Sequence, residues 1–168
     1  VSGHFANFEL MSMEITKKNI NLATIYRPLN NFFLNPLMEY LRLKFICSNQ
    51  IKKGRGGVKD AIHYIKKDFS IALMIDQRVS EGEEIIFFGK KALTTTLPAQ
   101  LAKKFNLAIV PIYLERKNKS SFFMEVHDPI TTSDLKNKKE ISLKLNSILE
   151  QMILRNPKQW IWTHNRWK

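Results

Sequence analysis

The stretch Ser70-Ile71-Ala72-Leu73-Met74-Ile75 decides the fold class, because a short run of apolar and β-branched residues is typical of a buried strand. Two other stretches have the same character, Ala23-Thr24-Ile25-Tyr26-Arg27 and Ala108-Ile109-Val110-Pro111-Ile112-Tyr113-Leu114. A fourth strand candidate is Ser121-Phe122-Phe123-Met124-Glu125-Val126. We therefore expect a sheet with several buried strands.

Helical patterns lie between these strands, over Asn31–Ile46, Val58–Lys67, Leu97–Phe105 and Lys139–Arg155. The last is the clearest, since its apolar residues recur every three or four positions and Pro157 follows it. The alternation predicts one α/β domain over residues 1–168, with a mixed or mostly parallel sheet flanked by helices. Between two of these helices, Asn49–Gly57 is rich in Lys and Gly, and we interpret it as a solvated, flexible linker.

The composition is that of a folded protein, with 44% hydrophobic and 25% charged residues. Lys and Arg number 27 against 15 Asp and Glu, so the formal net charge is +12. This excess favours an anionic partner, which composition alone leaves open among nucleic acid, a membrane surface and an acidic carrier protein. The single cysteine, Cys47, excludes an internal disulfide and is expected to be buried in its apolar run.

Charged residues follow three of the predicted strands. Arg27 ends the first, Asp76-Gln77-Arg78 follows the second, and Glu115-Arg116 follows the third. Ligands of α/β domains gather beyond the carboxyl ends of the strands, so these residues predict an anion-facing rim at one edge of the sheet. The alternative is that the strands simply end in polar surface residues.

His4 and Glu9 are the candidate reaction centre. Gly3 precedes His4 and a helical pattern starts immediately after it, which places the imidazole at a strand-to-helix junction. Residues five apart on a helix point about 140° apart, so the two side chains can meet only if His4 stands at or before the helix start. Glu9 would then accept the proton of one ring nitrogen, leaving the other nitrogen free to deprotonate a hydroxyl. Spacing alone leaves an incidental pair as the alternative. The other histidines have no metal-ligand spacing, so no metal site is expected.

Longer blocks of sequence support a functional role for His4 and Glu9. His4-x4-Glu9 resembles the His-x4-Asp/Glu motif of the glycerolipid acyltransferase superfamily. Further blocks follow in order: Ile25-Tyr26-Arg27-Pro28-Leu29-Asn30-Asn31, Met74-Ile75-Asp76-Gln77, Phe87-Phe88-Gly89-Lys90-Lys91-Ala92-Leu93-Thr94-Thr95-Thr96, Val110-Pro111-Ile112-Tyr113-Leu114-Glu115-Arg116 and the tail Trp160–Lys168. Over essentially the whole chain this set resembles the lauroyl/myristoyl (late) acyltransferase family of lipid A biosynthesis. Glu9 and the Phe-Phe-Gly-Lys block favour that branch over the phospholipid-making one.

The resemblance implies a glycerolipid-acyltransferase-like fold and acyl transfer from acyl carrier protein to a hydroxyl of a lipid A precursor, with no cofactor. It implies His4 as the general base with Glu9 as its partner. Arg27 and, less directly, Arg116 would bind anionic groups of the substrates, and Asp76 would bind substrate or orient Arg27. The partners would be acyl carrier protein, the anionic lipid and the cytoplasmic face of the bacterial inner membrane. We expect the chain to lack its N-terminal membrane anchor, and whether it also lacks the first strands is left open.

Three alternatives remain at this point: acyl transfer to another phospholipid or glycolipid, a basic nucleic-acid-binding module, and a catalytically silent membrane scaffold. No nucleic-acid-binding signature accompanies the charge, so we expect no nucleic acid as partner. The role of Trp160, Trp162 and Trp167 is also open, because tryptophans interleaved with basic residues suit either a membrane interface or a protein core.

Overall fold

The chain divides into two compact units in the computed structural model, which describes residues 1–131 and 137–168. The smaller unit is Glu9–Leu73, and the larger unit combines Val1–Phe8 with Met74–Lys168. Both contain helices and strands, and the α/β class predicted from the alternating pattern is confirmed. The assignment of residues 1–168 to one catalytic domain stays a prediction.

The smaller unit is a three-stranded parallel sheet with helices packed on it. Its elements are α1 (Glu9–Lys17), β1 (Leu22–Tyr26), α2 (Leu34–Leu41), a π-helical turn (Arg42–Ile46), β2 (Gln50–Lys52), α3 (Arg55–Ile65) and β3 (Ser70–Ala72). The strand order is β2-β1-β3, and both neighbours pair with β1 in parallel. Helices α1 and α3 pack against β1, and Cys47 is buried as expected.

The interpretation of Asn49–Gly57 as a solvated linker is wrong. Gln50–Lys52 forms the edge strand β2, and α3 begins at Arg55. The strand forms because Ile51, flanked by polar side chains, is almost fully buried. Gly57 then lets α3 pack closely, since a Cβ at this position would lie 2.2 Å from the carbonyl oxygen of Lys52. The strand was not predicted because the segment is rich in Lys and Gly and has only one apolar residue in the strand, Ile51.

The described residues of the larger unit form two antiparallel strand pairs and two α-helices. A hairpin of β4 (Glu83–Phe87) and β5 (Lys90–Thr94) is followed by α4 (Leu97–Phe105), the pair β6 (Ile112–Arg116) and β7 (Phe122–Val126), α5 (Lys138–Arg155) and a 3-10 turn (Pro157–Gln159). Helix α5 packs on the hairpin, where Asn146 Nδ2 donates to the carbonyl oxygen of Ile86 and to Thr94 Oγ1. Its buried apolar face includes Ile141, Leu145 and Leu149, as the three-four spacing predicted.

The common edge predicted for three charged strand ends stays a prediction, because Arg27 lies in the smaller unit and Asp76 and Arg116 lie in the larger one. β6 pairs with β7 in an antiparallel ladder and is not a strand of the parallel sheet that contains β1 and β3. The antiparallel partner of β6 was not predicted, because an apolar run of six or seven residues does not reveal which strand it will pair with. Likewise, α1 begins at Glu9 and not immediately after His4, because Phe5 is held in the core of the larger unit.

Candidate active site

Backbone pairing places His4 beside Asp76 in the larger unit. Ser2 forms a parallel bridge with Met74, and the Ile75 N–H donates to the carbonyl oxygen of Ser2 at 2.9 Å. Two residues further along both segments, the same register puts His4 opposite Asp76. Gly3, which lies between Ser2 and His4 in the chain, is tightly surrounded, since a Cβ there would meet Leu149 Cδ1 at 2.9 Å. The glycine before the histidine is therefore explained by packing inside the protein.

The C-terminal segment holds His4 from its other side. Phe5 and Trp160 form an antiparallel bridge, the Ile161 N–H donates to the carbonyl oxygen of His4 at 3.0 Å, and the Ala6 N–H donates to that of Gln159 at 2.8 Å. Phe5 is fully buried and packs edge-on against Tyr113. The backbone of His4 is thus fixed between two segments that lie far from it in sequence.

The carboxylate of Asp76 is surrounded by donors. His4 Nδ1 lies 2.7 Å from Asp76 Oδ1, while the His4 backbone N–H and the Trp160 indole N–H donate to Oδ2 at 2.9 and 2.8 Å. Asp76 is only 3% exposed. Burial alone would raise its pKa, but the hydrogen bonds and charge of His4, together with the bond from Trp160, outweigh it and hold the pKa of Asp76 below its ordinary value. Asp76 is therefore an ionised, buried acceptor.

This geometry orients the imidazole. With the Nδ1 proton directed at Asp76, the lone pair of Nε2 remains available, and the His4 side chain is still partly exposed. Gln77 Nε2 lies 3.5 Å from His4 Nε2, and the Phe8 ring packs edge-on against the imidazole at 4.6 Å. A histidine held in this way can accept a proton from a hydroxyl placed at Nε2.

Glu9 has its own partner in the smaller unit. Arg42 donates from its terminal nitrogen to Glu9 Oε1 at 2.6 Å and from Nε to the same oxygen at 3.1 Å. Glu9 is the first residue of α1, and Arg42 begins the π-helical turn after α2. This two-point contact fixes the direction of the carboxylate. The predicted hydrogen bond between Glu9 and His4 stays a prediction.

The other predicted residues have different surroundings. Arg27 directly follows β1 in the smaller unit and is exposed. Arg116 lies in the larger unit, where its guanidinium donates to the side-chain oxygen of Asn7, three residues after His4. Gln159 brackets the Arg116 backbone by bonding to both its N–H and its carbonyl oxygen. The substrate-binding roles of Arg27, Arg116 and Asp76 stay predictions.

Several contacts of the site were not predicted from the sequence, among them those of Asp76 and of the tail residues. The contact of Asp76 with His4 depends on a register across 72 residues, and the only signal was that an Asp directly follows a buried strand. The structure also shows which side chains of the tail Trp160–Lys168 are buried. Trp160 is 4% exposed, Trp167 stacks on Phe87, and only Trp162 is largely exposed. Arg166 is fully buried, which lowers its pKa to about 10, an effect that the charge of Asp76 partly opposes.

Within the described residues, no three His, Cys, Asp or Glu side chains are grouped closely enough to hold a metal ion. None of the helices in residues 1–131 and 137–168 combines the length and apolar character that a membrane span requires.

Comparison with known proteins identifies the family. The family model described as bacterial lipid A biosynthesis acyltransferase matches residues 1–168. The chain is 24% identical over 169 residues to the lipid A biosynthesis lauroyltransferase of Escherichia coli (strain K12), covering 98% of this chain and 54% of that protein. It is 26% identical over 172 residues to the palmitoleoyltransferase of the same organism, covering 100% of this chain and 55% of that protein.

A lipid A biosynthesis acyltransferase of Haemophilus influenzae is 24% identical over 173 residues, with 100% and 54% of the two chains covered. The chain thus spans about half the length of these curated relatives. The match along all 168 residues, together with the His4-x4-Glu9 motif, shows that this chain belongs to the bacterial lipid A biosynthesis acyltransferase family.

Proposed function

We propose that the protein transfers a fatty acyl chain from acyl carrier protein to a hydroxyl of a lipid A precursor, with His4 as the general base. The observation that carries the proposal is the hydrogen bond between His4 Nδ1 and the buried carboxylate of Asp76. It leaves Nε2 as the acceptor nitrogen, which is what deprotonation of an alcohol requires. Family membership supplies the reaction class.

In the proposed reaction, the acceptor hydroxyl attacks the carbonyl carbon of the acyl thioester. His4 Nε2 takes the hydroxyl proton as the new C–O bond forms, and Asp76 stabilises the resulting imidazolium. The C–S bond then breaks, and the leaving thiolate receives the proton from His4. The ester and the free thiol are the products, so no covalent acyl-enzyme is required.

Asp76 is a positioning residue in this scheme, since it acts through His4. Glu9 remains the second residue of the proposed reaction centre, and its contact with Arg42 would hold the carboxylate in one orientation. Arg27 and Arg116 are proposed to bind the phosphates of the acceptor or of the carrier protein's prosthetic arm, because a guanidinium matches phosphate oxygens.

The donor, the acceptor and the membrane location belong to the same proposal. The net charge of +12 suits both an acidic carrier protein and the anionic cytoplasmic surface of the inner membrane. No cofactor is required, because base catalysis and charge stabilisation are sufficient for thioester alcoholysis.

The test measures transfer of a labelled acyl chain from acyl carrier protein to a lipid A precursor by the whole protein, with phospholipid and glycolipid acceptors in parallel. We expect His4→Ala to lower kcat by about a hundred- to ten-thousandfold, the range for loss of a general base. Asp76→Asn and Glu9→Gln should each cause a large loss, while Asp128→Asn and Glu14→Gln, which change exposed acids in the same two units, should not. Activity like that of the wild type in His4→Ala would refute the proposal.

A further inference from the structure

One helix of the smaller unit exposes large apolar side chains, while its one charged residue contacts the rest of the unit. Helix α2 contains no buried residue. Instead, Glu39 accepts a hydrogen bond from the Tyr26 hydroxyl at 2.8 Å and pairs with Lys52 at 3.2 Å. Arg42, directly after α2, pairs with Glu9 and lies over the Tyr26 ring. The polar side of the helix is therefore used to attach it to its own unit.

The opposite side carries large apolar side chains. We call it the outer face, formed by Phe32, Phe33, Leu34, Leu37, Tyr40 and Phe45. Phe32 and Phe33 are 83% and 87% exposed, and roughly half of each remaining side chain is exposed. Single exposed apolar residues are ordinary, but a continuous set on one short segment marks an interaction surface.

The two phenylalanines are held in place by their neighbours. Asn31 Oδ1 accepts hydrogen bonds from the backbone N–H groups of Phe33 and Leu34, both at 3.0 Å. Asn35 Oδ1 accepts from the Leu29 N–H at 2.8 Å. The turn before α2 is thus closed by its own side chains, and two rings project from it in a defined position.

The charge around the outer face indicates what covers it. Glu39 is the only acidic residue between positions 18 and 59, and it is already paired with Tyr26 and Lys52. Basic residues outnumber it several-fold in that stretch, including Arg27 and Lys53, which are exposed. Lys44 lies within the face, with its ammonium 5.4 Å from the Tyr40 ring and 5.2 Å from that of Phe45. A second copy of the chain would present like charge, whereas anionic headgroups would neutralise it.

We propose that the outer face inserts its apolar side chains into the surface of an anionic lipid bilayer, with Lys44 and the neighbouring basic residues on the headgroups. An apolar helix face beside basic residues is the combination that binds a membrane interface. The proposal deepens the proposed function, because the acceptor is a membrane lipid, but lipid binding is measurable without acyl transfer. It also differs from seating the tail tryptophans in the membrane, since only Trp162 among them is largely exposed.

The first experiment measures binding of the 168-residue chain to vesicles of phosphatidylethanolamine and phosphatidylglycerol by flotation. We expect Phe32→Ser/Phe33→Ser to weaken binding by about tenfold or more, because two rings lose apolar burial. The matched control is Val126→Ser/Leu154→Ser, which changes two exposed apolar residues of the larger unit and should bind like the wild type. Wild-type chain that does not float with the vesicles, or a Phe32/Phe33 variant that floats equally well, would overturn the proposal.

A second set of measurements separates the charge contribution and the alternative occupants. Lys44→Gln should weaken binding by about fivefold on anionic vesicles and hardly at all on phosphatidylcholine, in line with the usual effect of one basic residue at a membrane surface. Phe33→Cys can be labelled with an environment-sensitive dye, since native Cys47 is buried. We expect its emission to shift to the blue with anionic vesicles, while Val126→Cys does not respond. A blue shift that instead follows protein concentration without vesicles would indicate self-association and overturn the proposal.

Acyl transfer in detergent micelles distinguishes this proposal from the function proposed above. Phe32→Ser/Phe33→Ser should retain its activity in micelles while losing vesicle binding, since neither residue belongs to the reaction centre. If the wild type binds vesicles but transfers no acyl group, the proposed function fails and the lipid surface stands.

Discussion

Two segments with the same kind of sequence have opposite fates in this protein. The tail Trp160–Lys168 and the segment Leu29–Phe45 both mix aromatic and basic residues. In the tail, Trp160 and Arg166 are buried in the larger unit and their polar atoms bond to Asp76, Leu93 and Thr94. In the other segment, the aromatic residues are exposed, whereas Glu39 and Arg42 contact other residues of the smaller unit. The difference teaches that aromatic residues beside basic ones are exposed only where no other segment of the protein packs over them.

The largest expected effect tests whether the tail is part of the core. Trp160→Ala should lower the free energy of unfolding by about 3–5 kcal/mol, because it leaves a large cavity and removes a donor from Asp76. Phe33→Ala should change it by less than about 0.5 kcal/mol, as is usual for an exposed side chain. Urea unfolding of both variants measures the contrast, and equal losses would contradict it.

A smaller effect isolates the indole N–H from the ring. Trp160→Phe keeps an aromatic ring in the core but leaves Asp76 Oδ2 without one of its two donors, which should cost about 1–3 kcal/mol. Trp162→Phe is the matched control, because its indole N–H donates to the Pro157 carbonyl at the surface and should contribute little. If the two substitutions cost the same, the bond to Asp76 contributes nothing specific.

Acid should weaken the tail's attachment through Asp76. Its pKa is lower in the folded protein than its ordinary value of about 4, so the folded state favours the carboxylate. The resulting stability is present above the pKa of the unfolded chain and is lost as the pH falls through the lower folded pKa. Unfolding measured from neutral pH to about pH 2 should therefore show a loss in the wild type below about pH 4 that Asp76→Asn lacks. Parallel curves would contradict this assignment.

The smallest expected effect concerns the hydrogen bond that attaches Glu39 of α2 to Tyr26. Burial and the hydrogen bond to Glu39 raise the pKa of Tyr26 from 10.0 to about 12. Because the folded state favours the neutral phenol, its contribution is complete below about pH 10 and is lost as the pH rises towards 12. Absorbance titration should detect the late ionisation of one tyrosine, and Tyr26→Phe should remove it. A Tyr26 that ionises near its ordinary pKa would show that Glu39 does not anchor α2.

Local patterns were sufficient for much of the fold. Helix α4 has the bounds predicted for it, and α5 begins only one residue earlier than expected, because a long amphipathic spacing is repeated over several turns. β1 and β7 also lie where short apolar runs predicted strands. By contrast, β2 is three residues long, and Ile51 is its one buried residue. A strand that short has too few residues to show an alternating pattern.

The candidate site divides in the same way. His4 and Glu9 were identified from a five-residue spacing and a resemblance, and Asp76 from its place after a strand. That Asp76 bonds to His4, and Arg42 to Glu9, was not predicted, because each contact joins residues that lie far apart in the chain.

The sequence by itself determined the fold class, the family blocks and the position of the motif, since all three depend on residue types at short, regular spacings. Tertiary structure alone decided which carboxylate orients His4, because the register of Ser2 against Met74 sets that contact. It also decided which aromatic residues face outward. A side chain is buried only when another segment of the chain packs over it, and local composition cannot specify that segment.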